Sequence, residues 1–265
     1  MRWEALTAPQ FATAAKDGVC VLPIGVLEKH GNHLPLGTDM YTSTAICAAA
    51  AEIEPAIVFP YYFMGQIAEA RHYPGTIAVS HQMMMDNLLA MCDEIARNGI
   101  KKILIMSGHG GNAHFLPFFA QEMPKWERDY QVYTGFAVGL THEQRTEIAE
   151  MAGYDDLGQH AGLSETALMM HLQPELVQPE IQPPIEGEDL NRLAEIKREG
   201  IFTGFNWYAS FPNHYAGDHT RATPDIGKRV YEMAVANTVA KIRAVKNDAE
   251  SLRLIAEYAT RTVHM

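Results

Sequence analysis

Cysteine is scarce: Cys20, Cys47 and Cys92 are the only three in 265 residues. They are odd in number, share no Cys-x-x-Cys spacing and lie in apolar segments, which argues against a disulfide framework or a thiolate zinc knuckle. Buried thiols of a reducing cytosol are expected. Positive charge is also short, with 21 Lys and Arg against 32 Asp and Glu and a net charge of −11. No basic run interleaves with aromatics, so nucleic acid is not an expected partner. No stretch approaches the roughly 18 apolar residues that cross a bilayer, and Met1 to Gln10 has no apolar leader core. The expectation is a cytoplasmic protein without a membrane partner. Internal repeats are absent. Low complexity is confined to the Pro- and Glu-rich segment Gln173 to Gly187, read as an irregular excursion over the surface or an arm bracing a neighbouring subunit.

What is present is enough apolar material for a core. A chain of this length with 47% hydrophobic residues can bury about three quarters of its unfolded surface, so one domain over residues 1–265 is expected. Apolar runs of strand length alternate with helical patterns, which predicts a three-layer α/β/α fold with a mostly parallel central sheet. Strands are predicted at 19–27, 56–59, 102–107 and 131–138. Helices are predicted at 39–52, 81–98 with Gly99 as the stop, 114–129, near Glu143, and from near Gly162. A last helical region begins at Thr223 and Pro224 and reaches about Thr260. Met83, Met84, Met85, Leu88, Leu89, Met91 and Ile95 form a stripe on the second of these helices, read as packing.

The chemistry-bearing residues gather where predicted strands end. After Val19 to Leu27 comes Glu28-Lys-His30-Gly-Asn-His-Leu-Pro-Leu-Gly-Thr-Asp39. Residues two apart in extended chain share a face, so Glu28 and His30 can reach one ion or two neighbouring ions, and Asp39 returns through a turn containing Gly31, Pro35 and Gly37. After Lys102 to Ser107 comes Gly108-His109-Gly110-Gly111-Asn112. Two further blocks are Gln159-His160-Ala-Gly-Leu-Ser-Glu165-Thr166 and His214-Tyr215-Ala-Gly-Asp218. In open α/β sheets, the carboxyl edge of the strands is where ligands bind.

These blocks, with the weaker Gly217 to Gly227, resemble the creatininase (creatinine amidohydrolase) family of metal-dependent α/β hydrolases, in the family's order and over nearly the whole chain. The resemblance implies two divalent ions, Zn, Mn or Fe, bridged by Asp39. Glu28 and His109 would complete one site and His30 belong to the other. Creatininase proper carries a glutamate ligand two residues after the His of the second block, where this chain has Gly111, so Glu165 is the candidate carboxylate for the second ion. If Glu165 caps a helix instead, a single ion is expected.

A hydroxide held by two ions is nucleophilic at neutral pH, so no Ser or Cys nucleophile is needed. The amides around Gly110 and Gly111 are candidates to receive the oxyanion. His160, grouped with Glu165 as catalytic, is the candidate general acid; the alternative is a His that merely holds the helix start. His33 is a candidate to orient a ligand carboxylate, whereas His81, His142, His171 and His264 read as surface or packing residues. His72, Trp207, His214 and Tyr215 are candidate walls for a small-molecule substrate. The expected reaction opens a cyclic amide. The runner-up is carbon-carbon cleavage of a cyclic polyol ketone of inosose type, and the reading from another class is a non-catalytic metal-binding assembly protein. Gly111, and the lack of a tryptophan just before His160, predict that creatinine is not the principal substrate. The resemblance further implies a homo-oligomer, a hexamer.

Overall fold

Strand formation follows from the apolar runs. In the computed structural model, which describes residues 1–16, 18–155, 157–181 and 187–262, four parallel strands form one sheet. They are β1 (Val19–Ile24), β2 (Ile57–Val58), β3 (Lys102–Ser107) and β4 (Gln131–Phe136), in the order β2-β1-β3-β4. β1 and β3 pair in register from Val19 with Lys102 to Ile24 with Ser107, so both strands end at the same edge.

Every residue of β1 is buried, and alternate side chains feed opposite layers. Val19 and Val21 join Leu104 and Met106 beneath α2 (Thr38–Ile53), α5 (His142–Ala152), α6 (Leu163–Leu172) and α9 (Pro224–Asn247). Cys20, Leu22 and Ile24 join Ile103 and Ile105 beneath α3 (His81–Arg97) and α4 (Asn112–Glu122), with flanking contacts from the short α1 (Ala8–Ala14). Each fully buried aliphatic side chain contributes about 1.5–3 kcal/mol, so the two cores hold the sheet from both faces. The expected three-layer α/β/α architecture is found. All three cysteines are buried thiols.

Local chemistry accounts for most element ends. Ser80 Oγ accepts the Met83 N–H at the start of α3, and Gly99 follows its end at φ +98°. On α3 Met84, Leu88 and Ile95 are buried, and Met85, Leu89 and Met91 pack against the same core, while Met83 is exposed. The first strand stops three residues before the predicted end, because Gly25 to Lys29 opens into the loop. α4 ends at Glu122 rather than 129, since a 3-10 turn over Met123–Trp126 and a left-handed Glu127 break it. The single helical region predicted to Thr260 is two helices, α9 and α10 (Glu250–Arg261). Asp248 separates them, its Oδ1 accepting the Glu250 and Ser251 N–H groups. Two helices of five residues, α7 (Ala194–Arg198) and α8 (Asn206–Ser210), were not expected. Among the described residues no helix is long and apolar enough to cross a membrane.

Of the segment Gln173 to Gly187, residues 182–186 lie outside the described residues, as does His264. The described part is irregular and fastened to its own chain: the Gln178 N–H donates to His33 O, and His219 Nε2 donates to Ile181 O.

Two glycines set where α2 begins. A Cβ on Gly25 would lie 2.6 Å from Met40 N and 2.7 Å from the Asp39 carbonyl carbon, and one on Gly108 would lie 2.4 Å from Asp39 O. Only bare backbone at the ends of β1 and β3 lets the first turn of α2 sit against both strands. Gly108→Ala is therefore expected to cost about 1–3 kcal/mol, as overpacking does. Gly204, with nothing within 4 Å of its Cβ position, supplies the control. Thermal melts should show Gly108→Ala lowered by several degrees and Gly204→Ala nearly unchanged.

Candidate metal centre

Because β1 and β3 end together, the loops that follow them converge on the first turn of α2. Glu28 and His30 come from the loop after β1, pinned by the Glu28 N–H donating to Leu36 O. Asp39 comes from α2 and His109 from the turn after β3. His160 precedes α6, and Glu165 lies in its first turn. Glu28, His30, Asp39, His109 and His160 are buried, while the Glu165 side chain is 28% exposed.

The side chains form two ligand sets that meet at Asp39. In one, His109 Nδ1 is 2.7 Å from Glu28 Oε1 and 3.1 Å from Asp39 Oδ2. In the other, His30 Nε2 is 3.1 Å from Asp39 Oδ1 and 3.9 Å from Glu165 Oε2. Each set has one ligand atom per residue, all within 4.8 Å of one another, and so does a third grouping of Glu28, His30 and His160. Asp39 thus offers one oxygen to each of two positions.

Hydrogen bonding tests whether a cation fits. A backbone carbonyl only accepts, so His109 Nε2, 2.7 Å from Gln66 O, carries the proton in a neutral ring and Nδ1 presents a lone pair. That lone pair faces Glu28 Oε1 and Asp39 Oδ2, both buried and without a hydrogen-bond donor. His30 repeats the arrangement, with Nδ1 at 3.3 Å from Glu28 O and Nε2 turned to Asp39 Oδ1. Acceptors crowd onto acceptors in a buried space, and among the described residues no Lys or Arg pairs with these three carboxylates. Divalent cations held by imidazole nitrogen and carboxylate oxygen relieve that conflict, and the donor set suits Zn, Mn or Fe.

Without a cation the groups perturb one another. Burial alone would lower the His109 and His30 pKa values, but the carboxylates facing them reverse it. His109 is pushed well above its usual range by Glu28 and Asp39, and His30 rises to about 10, chiefly through Asp39. Burial would raise Glu28, yet His109 and His160 hold it well below the usual carboxylate range. Glu165 is pushed up to about 7 by burial with Asp39 and Glu28 nearby, against the opposing pull of His30 and the Ala161 N–H. Burial, with His30 and His214 alongside, keeps His160 well below its usual range despite Glu28.

Glu165 takes both places considered for it. Its Oε2 accepts the Ala161 N–H at 2.6 Å, a helix-start contact, and the same oxygen faces His30. His160 Nε2 donates to Lys29 O at 2.8 Å, and its ring lies 4.3 Å from that of His30. His33 joins its loop to α6 through Nε2 at 2.8 Å from Thr166 Oγ1 and stacks on His219 at 3.6 Å.

A cavity of about 540 Å³ opens over His109 and Glu28, and Gly110, Gly111, His160, Trp207 and His214 line it. Two expected walls lie elsewhere. His72 is exposed and its Nε2 donates to Pro212 O, while Tyr215 is fully buried, its hydroxyl 2.8 Å from His219 Nδ1. His214 lines the cavity but also reaches the metal site, with Nε2 2.5 Å from Glu28 Oε2. Gln66, Glu69, Lys197 and Asp189 were not foreseen as lining residues, because they lie in loops, in a 3-10 turn or, for Lys197, on the five-residue α7. Gln66 and His219 became visible only through their contacts.

A family model described as creatininase, creatinine amidohydrolase, matches residues 4–242. The chain is 30% identical over 178 residues to creatinine amidohydrolase of Pseudomonas putida, covering 62% of this chain and 68% of that one. It is 27% identical over 238 residues to mycofactocin precursor peptide peptidase of Mycobacterium ulcerans (strain Agy99), covering 84% of this chain and 83% of that one. A crystal structure of creatinine amidohydrolase (creatininase) superposes with a TM-score of 0.75 at 22% identity, over 94% of this chain and 98% of that chain, a likeness of fold. A manganese form of creatininase superposes with a TM-score of 0.74.

Asp39 is the residue shared by the Glu28–His109 and His30–Glu165 ligand sets. Asp39→Ala is expected to lose bound metal and activity together, read by elemental analysis of the purified protein. Full metal occupancy in an inactive Asp39→Ala variant would remove the bridging role.

Proposed function

Because the chain belongs to the creatininase family, whose members are hydrolases, we propose that it hydrolyses an amide C–N bond, of a cyclic amide first, in the cavity over Glu28 and His109. Two divalent ions, Zn, Mn or Fe, would be held by Glu28, Asp39 and His109 and by His30, Asp39 and Glu165. The observation that carries the reading is the convergence of both sets on the two oxygens of Asp39, with His160 beside them at the cavity wall. When bound, the ions supply an activated water and polarise the carbonyl.

The chain's own residues do the rest. With Nε2–H committed to Lys29 O, His160 has Nδ1 left for proton exchange. It takes up the proton released by the attacking water and hands it to the departing nitrogen. Gly110 and Gly111 line the cavity at the start of α4, and their backbone N–H groups would receive the growing oxyanion. Trp207 supplies a flat apolar wall, its ring centroid 5.8 Å from that of His160.

Substrate choice departs from creatininase at one position above all. A Cβ on Gly111 would lie 2.4 Å from His109 Nε2 and 2.6 Å from Gln66 Oε1, so the neighbours have closed over the place where creatininase carries its glutamate. The wall absent before His160 is provided by Trp207 instead, which leaves Gly111 and the cavity size as the arguments against creatinine. About 540 Å³ falls in the range of sites that take drug-sized ligands, more than one five-membered ring fills. Similarity to a peptidase of mycofactocin precursor peptide supports including peptide amides. A cytoplasmic homo-hexamer with one domain per chain belongs to the same proposal and rests on the family resemblance.

His160→Ala is expected to keep its metal yet lose on the order of 10²- to 10⁴-fold in kcat. Metal loss in that variant would make it a ligand instead. A steady-state panel of creatinine, other lactams, short peptides, formamides and inosose-type ketones on one metal-loaded preparation should rank an amide above the ketones, with creatinine not first. A wide lead for creatinine would overturn the substrate reading, and a ketone in first place would overturn C–N cleavage.

A further inference from the structure

Glu28 has two carboxylate oxygens with different surroundings. Oε1 faces His109 Nδ1 and has no hydrogen-bond donor. Oε2 lies 2.5 Å from His214 Nε2. Whether Oε2 is occupied by a donor depends on which nitrogen of His214 carries the proton, and Trp207 decides that. An indole N–H only donates, and Trp207 Nε1 sits 2.9 Å from His214 Nδ1, so Nδ1 must accept and Nε2 must carry the hydrogen.

We propose that Trp207 and His214 form a two-step hydrogen-bond relay that positions Glu28 for metal binding, occupying Oε2 so that Oε1 alone is presented to the ion. The inference rests on the metal reading above and assigns both residues as positioning residues. It gives a specific role to two side chains that the sequence offered as cavity walls, His214 also within one of the chemistry-bearing blocks.

The surroundings hold the relay in place. His214 has φ +54°, a conformation uncommon for a non-glycine residue and kept only where neighbours dictate it. Its N–H closes a turn onto Phe211 O. The two preceding residues are fastened by three donors: Lys29 Nζ, from the Glu28–His30 loop, to Asn213 O, and Tyr73 Oη and His72 Nε2, from a separate loop, to Pro212 O. Trp207 packs against Phe211 at 4.9 Å between ring centroids. Lys29 ties the turn to the loop that carries Glu28 and His30, His72 and Tyr73 tie it to a second loop, and a bound ion would feel a change in the indole N–H through one intervening ring.

The test is metal affinity of the full chain, measured by titrating the apo-protein with Zn²⁺ in competition with a chromogenic chelator, with the apo-protein melting temperature as the folding control. His214→Ala is expected to weaken one of the two sites by about 10- to 100-fold, the usual effect of removing a residue that orients a ligand, and to leave the other unchanged. His214→Gln, whose amide N–H can still donate to Oε2, should recover most of that loss. Trp207→Phe keeps the ring packing and loses only the donor, so it should weaken the same site by about tenfold without moving the melting temperature. Wild-type affinity in His214→Ala, or an equal loss in His214→Gln, would overturn the relay. Should His214→Ala fail to fold, Trp207→Phe decides alone, and unchanged affinity there overturns the proposal. Absence of Zn²⁺ binding to the wild-type chain would instead overturn the metal reading itself.

Discussion

The site depends on one close approach: the first turn of α2 lies against the ends of β1 and β3. Gly25 and Gly108 make that approach sterically possible, each placing bare backbone where a Cβ would strike Asp39 or its neighbour. In-register pairing of β1 with β3 brings both strand ends to one level, so the Glu28–His30 loop and the His109 turn emerge on either side of Asp39. The fold therefore delivers one carboxylate between two imidazoles before any finer interaction acts.

A second regularity follows from how the imidazoles are held. His30, His109 and His160 each direct one ring nitrogen to a backbone carbonyl, of Glu28, Gln66 and Lys29 respectively. A carbonyl can only accept, so for a neutral ring each contact selects the tautomer and leaves the other nitrogen without its hydrogen. For His30 and His109 that nitrogen meets the carboxylates. Burying uncompensated carboxylates costs several kcal/mol per charge, so such a cluster is tolerable only with protons or cations among the oxygens. In the absence of cations the strain shows as opposed pKa shifts, His30 and His109 upward and Glu28 downward. The donor-free Glu28 Oε1 and Asp39 Oδ2 mark where positive charge belongs.

Much of this arrangement was legible in the chain. Runs such as Val19 to Ile24 are buried on both faces, and their composition says so without any contact information. Glu28, His30, Asp39 and His109 follow strand ends, and strand ends in a parallel sheet share an edge. What escaped was whatever depends on irregular chain. Gln66 acts through its backbone carbonyl and leaves no side-chain signal, and His214 owes its place to a left-handed turn that no periodicity encodes. His72 and Tyr215 stand in compact aromatic loops as a substrate wall would, yet one fastens Pro212 and the other is sealed against His219. The α9 and α10 break was hidden because Asp248 reads as an ordinary surface residue until its carboxylate is seen capping the next helix.

Diffraction at the metal absorption edge, from crystals of the protein loaded with Zn²⁺ or Mn²⁺, tests the central claim most directly. The account predicts two anomalous peaks about 3.5–4 Å apart, one on each carboxylate oxygen of Asp39. One peak belongs beside His109 and Glu28, the other beside His30 and Glu165. A single peak away from Asp39, or two peaks neither of which touches it, would contradict the account.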